Sequence, residues 1–247
     1  VSELHPNTAG FTGQAAQDYD AARGTYPPEV IEAIGLDPGS RVLDLGAGTG
    51  LLSQGLAAAG HDVIAVEPLA DMRAQLADKL GPENALEGTA EAIPLPDQSA
   101  DAATAAESFH WFKPDAAAAE LHRVVRPGGL VALIWRWPEW NHSTEWVAKV
   151  VAEVLPLRGD DHPAFTPDRG RDGFARHGGF SPIELTELRY PQTTDRQGYL
   201  DWVRSWSFIS KIPVPEREAL LDRLRPLIPD TPLDVSVRVE LWTGRRI

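Results

Sequence analysis

The chain has no cysteine, a single methionine, and no apolar run longer than the six residues Leu130-Val131-Ala132-Leu133-Ile134-Trp135. Without cysteine there are no disulfides, no thiolate metal ligands and no thiol nucleophile, which fits a reducing compartment. A run of six falls far short of the roughly 20 residues a bilayer-crossing helix needs. The opening Val1-Ser2-Glu3-Leu4-His5-Pro6 carries neither the basic cluster nor the apolar segment of a signal peptide. These absences predict a soluble cytoplasmic protein with no membrane partner. Basic side chains are in the minority, 23 against 36 acidic, for a net charge of −13. That field repels a polyanion, so nucleic acid is not expected as a partner. The seven histidines fall at no metal-ligand spacing, and no metal is expected.

What is present is ordinary globular material. The 247 residues are 43% hydrophobic and 24% charged, which suits one well-cored domain or one domain with a small lid. The first half alternates strand and helix patterns. Strands are predicted over 41–45, 63–66, 100–106 and 130–135, with helices over 51–59, 71–80 and 115–125 between them. The alanine-rich segment 100–106 favours helix by propensity. It is read as a strand because it lies between Pro94-Leu95-Pro96-Asp97 and the aromatic run 108–112. Such alternation implies a parallel sheet covered on both faces. In the second half, 145–155 reads as helix and the Gly-, Pro- and Arg-rich stretch 162–179 as a surface loop. Residues 183–190 and 235–242 read as strands. The helical patterns at 199–209 and 216–224, separated by Pro213 and Pro215, form a lid inserted between those two strands.

The sharpest motif is Val42-Leu43-Asp44-Leu45-Gly46-Ala47-Gly48-Thr49-Gly50. A strand running into three alternate glycines lets the backbone turn tightly and approach a ligand without Cβ interference. The helix that follows begins with unpaired N–H groups suited to a carboxylate or a phosphate. A dinucleotide-binding turn would need a third glycine at position 51, which is Leu51, and this opposes a dehydrogenase. Glu67 stands at the end of the second strand, on the ligand side of such a sheet. A carboxylate there accepts two hydrogen bonds from a ribose diol and repels a ribose phosphate.

Three segments together carry a resemblance. They are Val42 to Gly50, Glu87-Gly88-Thr89-Ala90-Glu91-Ala92-Ile93-Pro94-Leu95, and Phe109-His110-Trp111-Phe112 followed by Arg123-Val124-Val125-Arg126-Pro127-Gly128-Gly129. In this order the chain resembles the class I S-adenosylmethionine-dependent methyltransferases of the small-molecule branch, with ubiquinone/menaquinone-type and trans-aconitate-type enzymes as relatives. The resemblance spans about residues 15–135. It implies an α/β fold with a doubly wound, mostly parallel, seven-stranded Rossmann-like sheet. Within one domain over 1–247 it implies a cofactor-capping segment (1–36), a cofactor-binding core (37–135) and the helical lid (195–230). The implied cofactor is S-adenosyl-L-methionine. Asp44, Gly46, Ala47, Gly48 and Gly50 would hold its amino-acid end and Glu67 its ribose. Pro68 and Met72 would lie beside the adenine, with Thr89 and Ala90 at its edge. Tyr19, Arg23 and Tyr26 match a pattern that caps the cofactor. Arg23 either pairs with the methionyl carboxylate or is a surface arginine.

Methyl transfer asks little acid–base machinery of a protein. An oxygen nucleophile of high pKa needs a base, and His110, just beyond the fourth strand, is the candidate; the alternative is a histidine that packs or orients substrate. Glu107 either orients His110 or stabilises the sulfonium. The aromatic residues Trp111, Trp135, Trp137, Trp202 and Trp206 are placed at the rim and on the lid, with Arg136 as the charge among them. This set predicts a small, largely apolar or aromatic acceptor methylated at oxygen, by a monomer or homodimer. A second class stays open: a protein of the same fold that binds the cofactor without methylating, as a sensor or a repurposed cyclase. A nucleic-acid methyltransferase is opposed by the net charge and by the lack of an Asn/Asp-Pro-Pro-aromatic run at 107–110.

Overall fold

The computed structural model describes residues 8, 11–159 and 168–247; of residues 168–171 only the backbone is described. Seven strands form one sheet in the order β3-β2-β1-β4-β5-β7-β6. The parallel part comprises β1 (Arg41–Leu45), β2 (Asp62–Val66), β3 (Ala85–Leu86), β4 (Ala100–Ala106) and β5 (Val125–Pro138). On the far side of β5, β7 (Leu233–Arg245) runs antiparallel to both β5 and β6 (Glu184–Thr194). The sheet is therefore mostly parallel with one reversed strand, and the strand reading of the alanine-rich segment 100–106 holds.

Alternate residues of each central strand feed opposite faces, as the two-residue period requires. Leu43 and Leu45 of β1, with Val131, Leu133 and Trp135 of β5, pack on one side. They meet Ala117, Ala118, Leu121 and Val124 of α5 (Pro114–Val124). Val42 of β1, with Leu130, Ala132 and Ile134 of β5, packs on the other. There they meet Val30 and Ile31 of α2 (Pro28–Ala33) and Leu51, Leu52 and Leu56 of α3 (Leu51–Ala58). Burial on both faces is why the strands read as continuous apolar runs. Two further helices belong to this half: α1 (Gln14–Arg23) precedes α2, and α4 (Ala70–Leu80) follows β2, burying Met72 and Leu76.

A third apolar cluster is built mainly from helices and meets the sheet at Leu233, the first residue of β7. It joins Val150 and Val154 of α6 (Glu145–Val154) to Tyr199, Leu200 and Val203 of α8 (Arg196–Arg204). Ile209 of α9 (Ser207–Ser210) and Leu220, Leu221 and Leu224 of α10 (Val214–Leu224) complete it. The single helix expected over 199–209 is two helices. Ser205 ends α8 by bonding its Oγ to the Trp202 carbonyl at 2.6 Å, and Trp206 then adopts an extended backbone.

The surface loop expected over 162–179 is corrected in part. Residues 162–167 lie outside the described residues, but Asp168–His177 is a helix, α7. Its Phe174 is buried, 5.2 Å from Phe109 and 4.9 Å from Phe180 between ring centroids. Gly173, which reads as a breaker, is where this helix touches α5; a Cβ there would meet the Pro114 Cβ at 2.7 Å. Phe174→Ala is expected to lower unfolding stability by about 3–5 kcal/mol in urea titration, the usual cost of emptying a buried phenylalanine site. A surface loop would give a value near zero.

Candidate functional site

The carboxyl ends of β1, β2 and β4 open onto one cavity of about 590 Å³. Its floor is the glycine turn that follows β1. Gly46 has φ +65°, and a Cβ there would come within 2.8 Å of the Ser108 Cβ and 2.9 Å of the Phe112 ring. Only glycine lets the turn and the segment after β4 close on each other. The Gly46 and Ala47 N–H groups both donate to the Val66 carbonyl, at 2.8 and 3.2 Å, which binds the turn to the end of β2.

Glu67 is 5% exposed, and its two carboxylate oxygens accept from the Gly48 N–H and the Leu69 N–H, each at 2.8 Å. An ionised carboxylate offers about four acceptor positions, so two remain for a ligand. Arg73 supports the site from α4, donating to the Glu67 and Pro68 carbonyls at 2.8 and 3.0 Å. Burial pushes the Glu67 carboxyl up to about 7, against the lowering effect of its two backbone donors. Asp44 is more deeply enclosed and accepts from Ser53 Oγ at 2.5 Å and Thr104 Oγ1 at 3.0 Å. Burial raises it to about 6.

Two hydroxyls in the cavity wall lack a partner. Thr49 Oγ1 and Thr89 Oγ1 are both buried without a hydrogen bond. A buried polar atom left in that state costs on the order of 1–3 kcal/mol, which a ligand can recover. Together with the open positions on Glu67, these orphans fit a nucleoside bearing hydroxyls and amino groups.

Of the residues expected at the site, Asp44, Gly46, Ala47, Gly48, Glu67, Pro68, Met72, Thr89 and Ala90 line this cavity, as do Glu107, His110, Trp111 and Arg136. Glu107 has φ +54°, and its carboxylate accepts from the Arg136 backbone N–H. The Arg136 guanidinium lies 4.0 Å from the Tyr26 ring centroid, a cation–π contact that shields its charge.

The structure does not bring the others to the wall. Gly50 caps α3 with φ +86°, where a Cβ would meet the Leu76 Cδ1 at 2.7 Å. Arg23 donates from Nε to Ser205 Oγ at 2.9 Å, tying α1 to the end of α8. Trp135 is buried in the sheet core, and Trp137 packs against the same cluster. Trp202 and Trp206 face each other at 4.8 Å between ring centroids, packed against the helical cluster rather than the cavity. An i, i+4 aromatic pair reads the same whether its helix faces a core or a ligand, so the pattern alone did not separate these. The expectation missed Phe11, Leu69, Ser108, Phe112 and Lys113, which also line the cavity. Ser108 had no motif to mark it; its role is the 2.8 Å bond from its hydroxyl to the Leu45 carbonyl, which anchors the segment after β4.

A mostly parallel seven-stranded sheet whose first turn is glycine-rich and whose second strand ends in an acid is the class I methyltransferase architecture. Residues 43–133 match the family model described as "Methyltransferase domain". An uncharacterized methyltransferase of Mycobacterium tuberculosis is 36% identical over 220 residues, covering 89% of this chain and 86% of that protein. A malonyl-[acyl-carrier protein] O-methyltransferase of Yersinia pestis is 35% identical over 127 residues, covering 50% of this chain and 48% of that one. A solved structure described as a type II methyltransferase, from Anaeromyxobacter dehalogenans, is 26% identical with a TM-score of 0.65, covering 90% of this chain and 97% of that one. The chain belongs to the methyltransferase family, in its class I S-adenosylmethionine-dependent branch.

The raised carboxyls make stability depend on pH. Glu67 rises from 4.5 to about 7 and Asp44 from 3.8 to about 6. Within these windows the folded chain holds protons that the unfolded chain has released. Stability therefore falls as pH rises from about 4.5 to 7. At about 1.4 kcal/mol per pH unit, Glu67 alone accounts for on the order of 3–4 kcal/mol over its whole window, of which about 2–3 kcal/mol falls between pH 5 and pH 8. Urea titrations of the ligand-free protein at pH 5 and pH 8 are expected to show this loss, and Glu67→Gln is expected to flatten it. An unchanged slope in the variant would mean that Glu67 ionises normally.

Proposed function

We propose that the protein transfers the methyl group of S-adenosylmethionine to an oxygen of a small, largely apolar or aromatic acceptor. The observation that carries the reading is Glu67, a buried acid that lines the cavity and is held by two backbone donors, which leave part of a carboxylate's acceptor capacity unused. In this reading Glu67 takes the ribose hydroxyls. Pro68, Leu69 and Met72 form the apolar bed for the adenine, and the unpartnered Thr89 hydroxyl meets its polar edge. The turn from Gly46 to Thr49 receives the methionyl end.

When bound, the cofactor supplies an electrophilic methyl group. The chain's own work is to exclude water and hold the nucleophile near attack distance, which is worth roughly 7–11 kcal/mol of barrier. Tyr19 and Tyr26 reach the cavity from the N-terminal segment, which supports its role as a cap over the cofactor. The helical cluster around α8 and α10 would act as the lid, coupled to that cap by the Arg23–Ser205 bond. The aromatic wall formed by Trp111 and Phe112 favours an apolar acceptor, and the O-methyltransferase among the relatives favours oxygen.

Isothermal titration checks the cofactor. S-adenosylhomocysteine is expected to bind and NADH is not; the reverse would overturn the reading. Glu67→Ala is expected to weaken S-adenosylhomocysteine about 10- to 100-fold, as loss of hydrogen bonds to a charged acceptor of about 1.5–3 kcal/mol implies. Incubation of small metabolites with methyl-labelled cofactor should then yield a product heavier by one methylene equivalent. Binding of the cofactor with a product of unchanged mass would instead indicate a cyclase.

A further inference from the structure

Two side chains of opposite charge line the cavity without pairing with each other. Glu107 and Arg136 both belong to its wall. The Glu107 carboxylate accepts from the Arg136 backbone N–H, yet no ion pair joins it to the guanidinium. The wall carries the carboxylates Asp44, Glu67, Glu91 and Glu107 beside the cations Lys113 and Arg136, so it is no general anion site. Asp44 is held by Ser53 and Thr104, Glu67 by the Gly48 and Leu69 N–H groups, and Glu91 accepts from the Lys113 N–H at 2.8 Å. Glu107 uses one oxygen for the Arg136 N–H. Its other oxygen has no hydrogen-bond partner among the described residues.

Arg136 is likewise engaged only in part. Its guanidinium lies over the Tyr26 ring at 4.0 Å, and Nη1 donates to the Arg23 and Gly24 carbonyls at 3.3 and 3.4 Å. Stacking uses the face of a guanidinium and leaves the N–H donors at its edge. Among the described residues Nε and Nη2 have no acceptor, and no carboxylate pairs with this charge.

We infer that Glu107 and Arg136 together receive an α-amino-acid zwitterion, the methionyl end of the cofactor, with Glu107 taking its ammonium and Arg136 its carboxylate. The inference rests on the methyl-transfer reading above. Two adjoining charges of opposite sign that leave each other unpaired match a ligand that carries both signs a few bonds apart. The sequence resemblance offers Arg23 for the carboxylate, but Arg23 is bonded to Ser205 and is not part of the cavity wall. The pair also stands beside the glycine turn, because Ser108, the residue after Glu107, is where a Cβ on Gly46 would collide. Glu107 adopts φ +54°, a backbone that glycine takes at less cost. The position thus keeps its carboxylate against the preference of its backbone.

Isothermal titration of the full chain with three probes tests the assignment. S-adenosylhomocysteine carries both charges, its decarboxylated analogue carries the ammonium alone, and methylthioadenosine carries neither. The unaltered chain is expected to bind S-adenosylhomocysteine more tightly than methylthioadenosine, a result read without any variant. Glu107→Gln keeps an acceptor for the Arg136 N–H and is expected to weaken S-adenosylhomocysteine and the amine about 10-fold, as loss of one charge-assisted hydrogen bond implies. Arg136→Met is expected to weaken S-adenosylhomocysteine by a similar factor and to spare the amine. Methylthioadenosine affinity is expected to hold in both variants, which shows that the cavity is intact. Equal affinities of the unaltered chain for S-adenosylhomocysteine and methylthioadenosine would overturn the proposal and leave the methyl-transfer reading standing. So would unchanged S-adenosylhomocysteine affinity in either variant, or equal weakening of all three probes. Binding of neither nucleoside by the unaltered chain would overturn both.

Discussion

The geometry of this site depends on one partly buried hydrogen bond, from the Gly48 N–H to the Glu67 carboxylate at 2.8 Å. It joins the turn after β1 to the residue after β2, two strands that are neighbours in the sheet. A carboxylate 5% exposed would be costly without such partners. The Leu69 N–H supplies the second, and Arg73 fixes the backbone of the acid itself by donating to the Glu67 and Pro68 carbonyls. The acid is therefore held in place before any ligand arrives, and the glycine turn is held by the acid. Preorganisation of this kind spares the ligand the entropy of ordering the loop. The raised carboxyl is its counterpart: the pocket that orients Glu67 also strips it of water, so the charge is best satisfied when a ligand brings further donors.

Much of this half was legible in the sequence because it depends on local rules. The spacing of Gly46, Gly48 and Gly50 announces positive φ at three alternate residues, and all three have it. The strand at 100–106 was recoverable from its neighbours although alanine argues for helix, because a parallel sheet needs a strand between a turn and a rim segment. The second half was less legible. Gly173 reads as a breaker when seen alone, yet it is the point at which α7 approaches Pro114. Trp202 and Trp206 have helical spacing, and spacing does not say what the helix faces; here it is another aromatic cluster. The bond between Trp135 and His110 spans 25 residues and follows from the register of β4 against β5, which no local pattern reveals.

That register also accounts for the strained residue at the site. Ala106 pairs with Ile134 at the end of the β4–β5 ladder. The next residue, Glu107, still donates its N–H to the Ile134 carbonyl at 2.8 Å while adopting φ +54°. A non-glycine residue in that region costs on the order of 1–3 kcal/mol and persists only where its surroundings over-determine it. Here the ladder holds its backbone and the Arg136 N–H holds its carboxylate. Glycine would relieve the strain but would remove the second of these anchors.

The reversal at Glu107 turns the chain back over the glycine turn. Ser108 then bonds the Leu45 carbonyl, Phe109 enters the core beside Phe174, and His110 is left at the cavity with Trp135 behind it. Each contact is short-range in space and long-range in sequence, and each depends on the missing Cβ of Gly46, which would occupy the place of Ser108 and Phe112. One glycine thus serves both halves of the site. Its positive φ shapes the floor that faces Glu67, and its bare α-carbon admits the segment that carries His110. The Glu67 side and the His110 side of the cavity are built on a single close approach between the turn after β1 and the segment after β4, so a change that widens that approach would be felt on both sides.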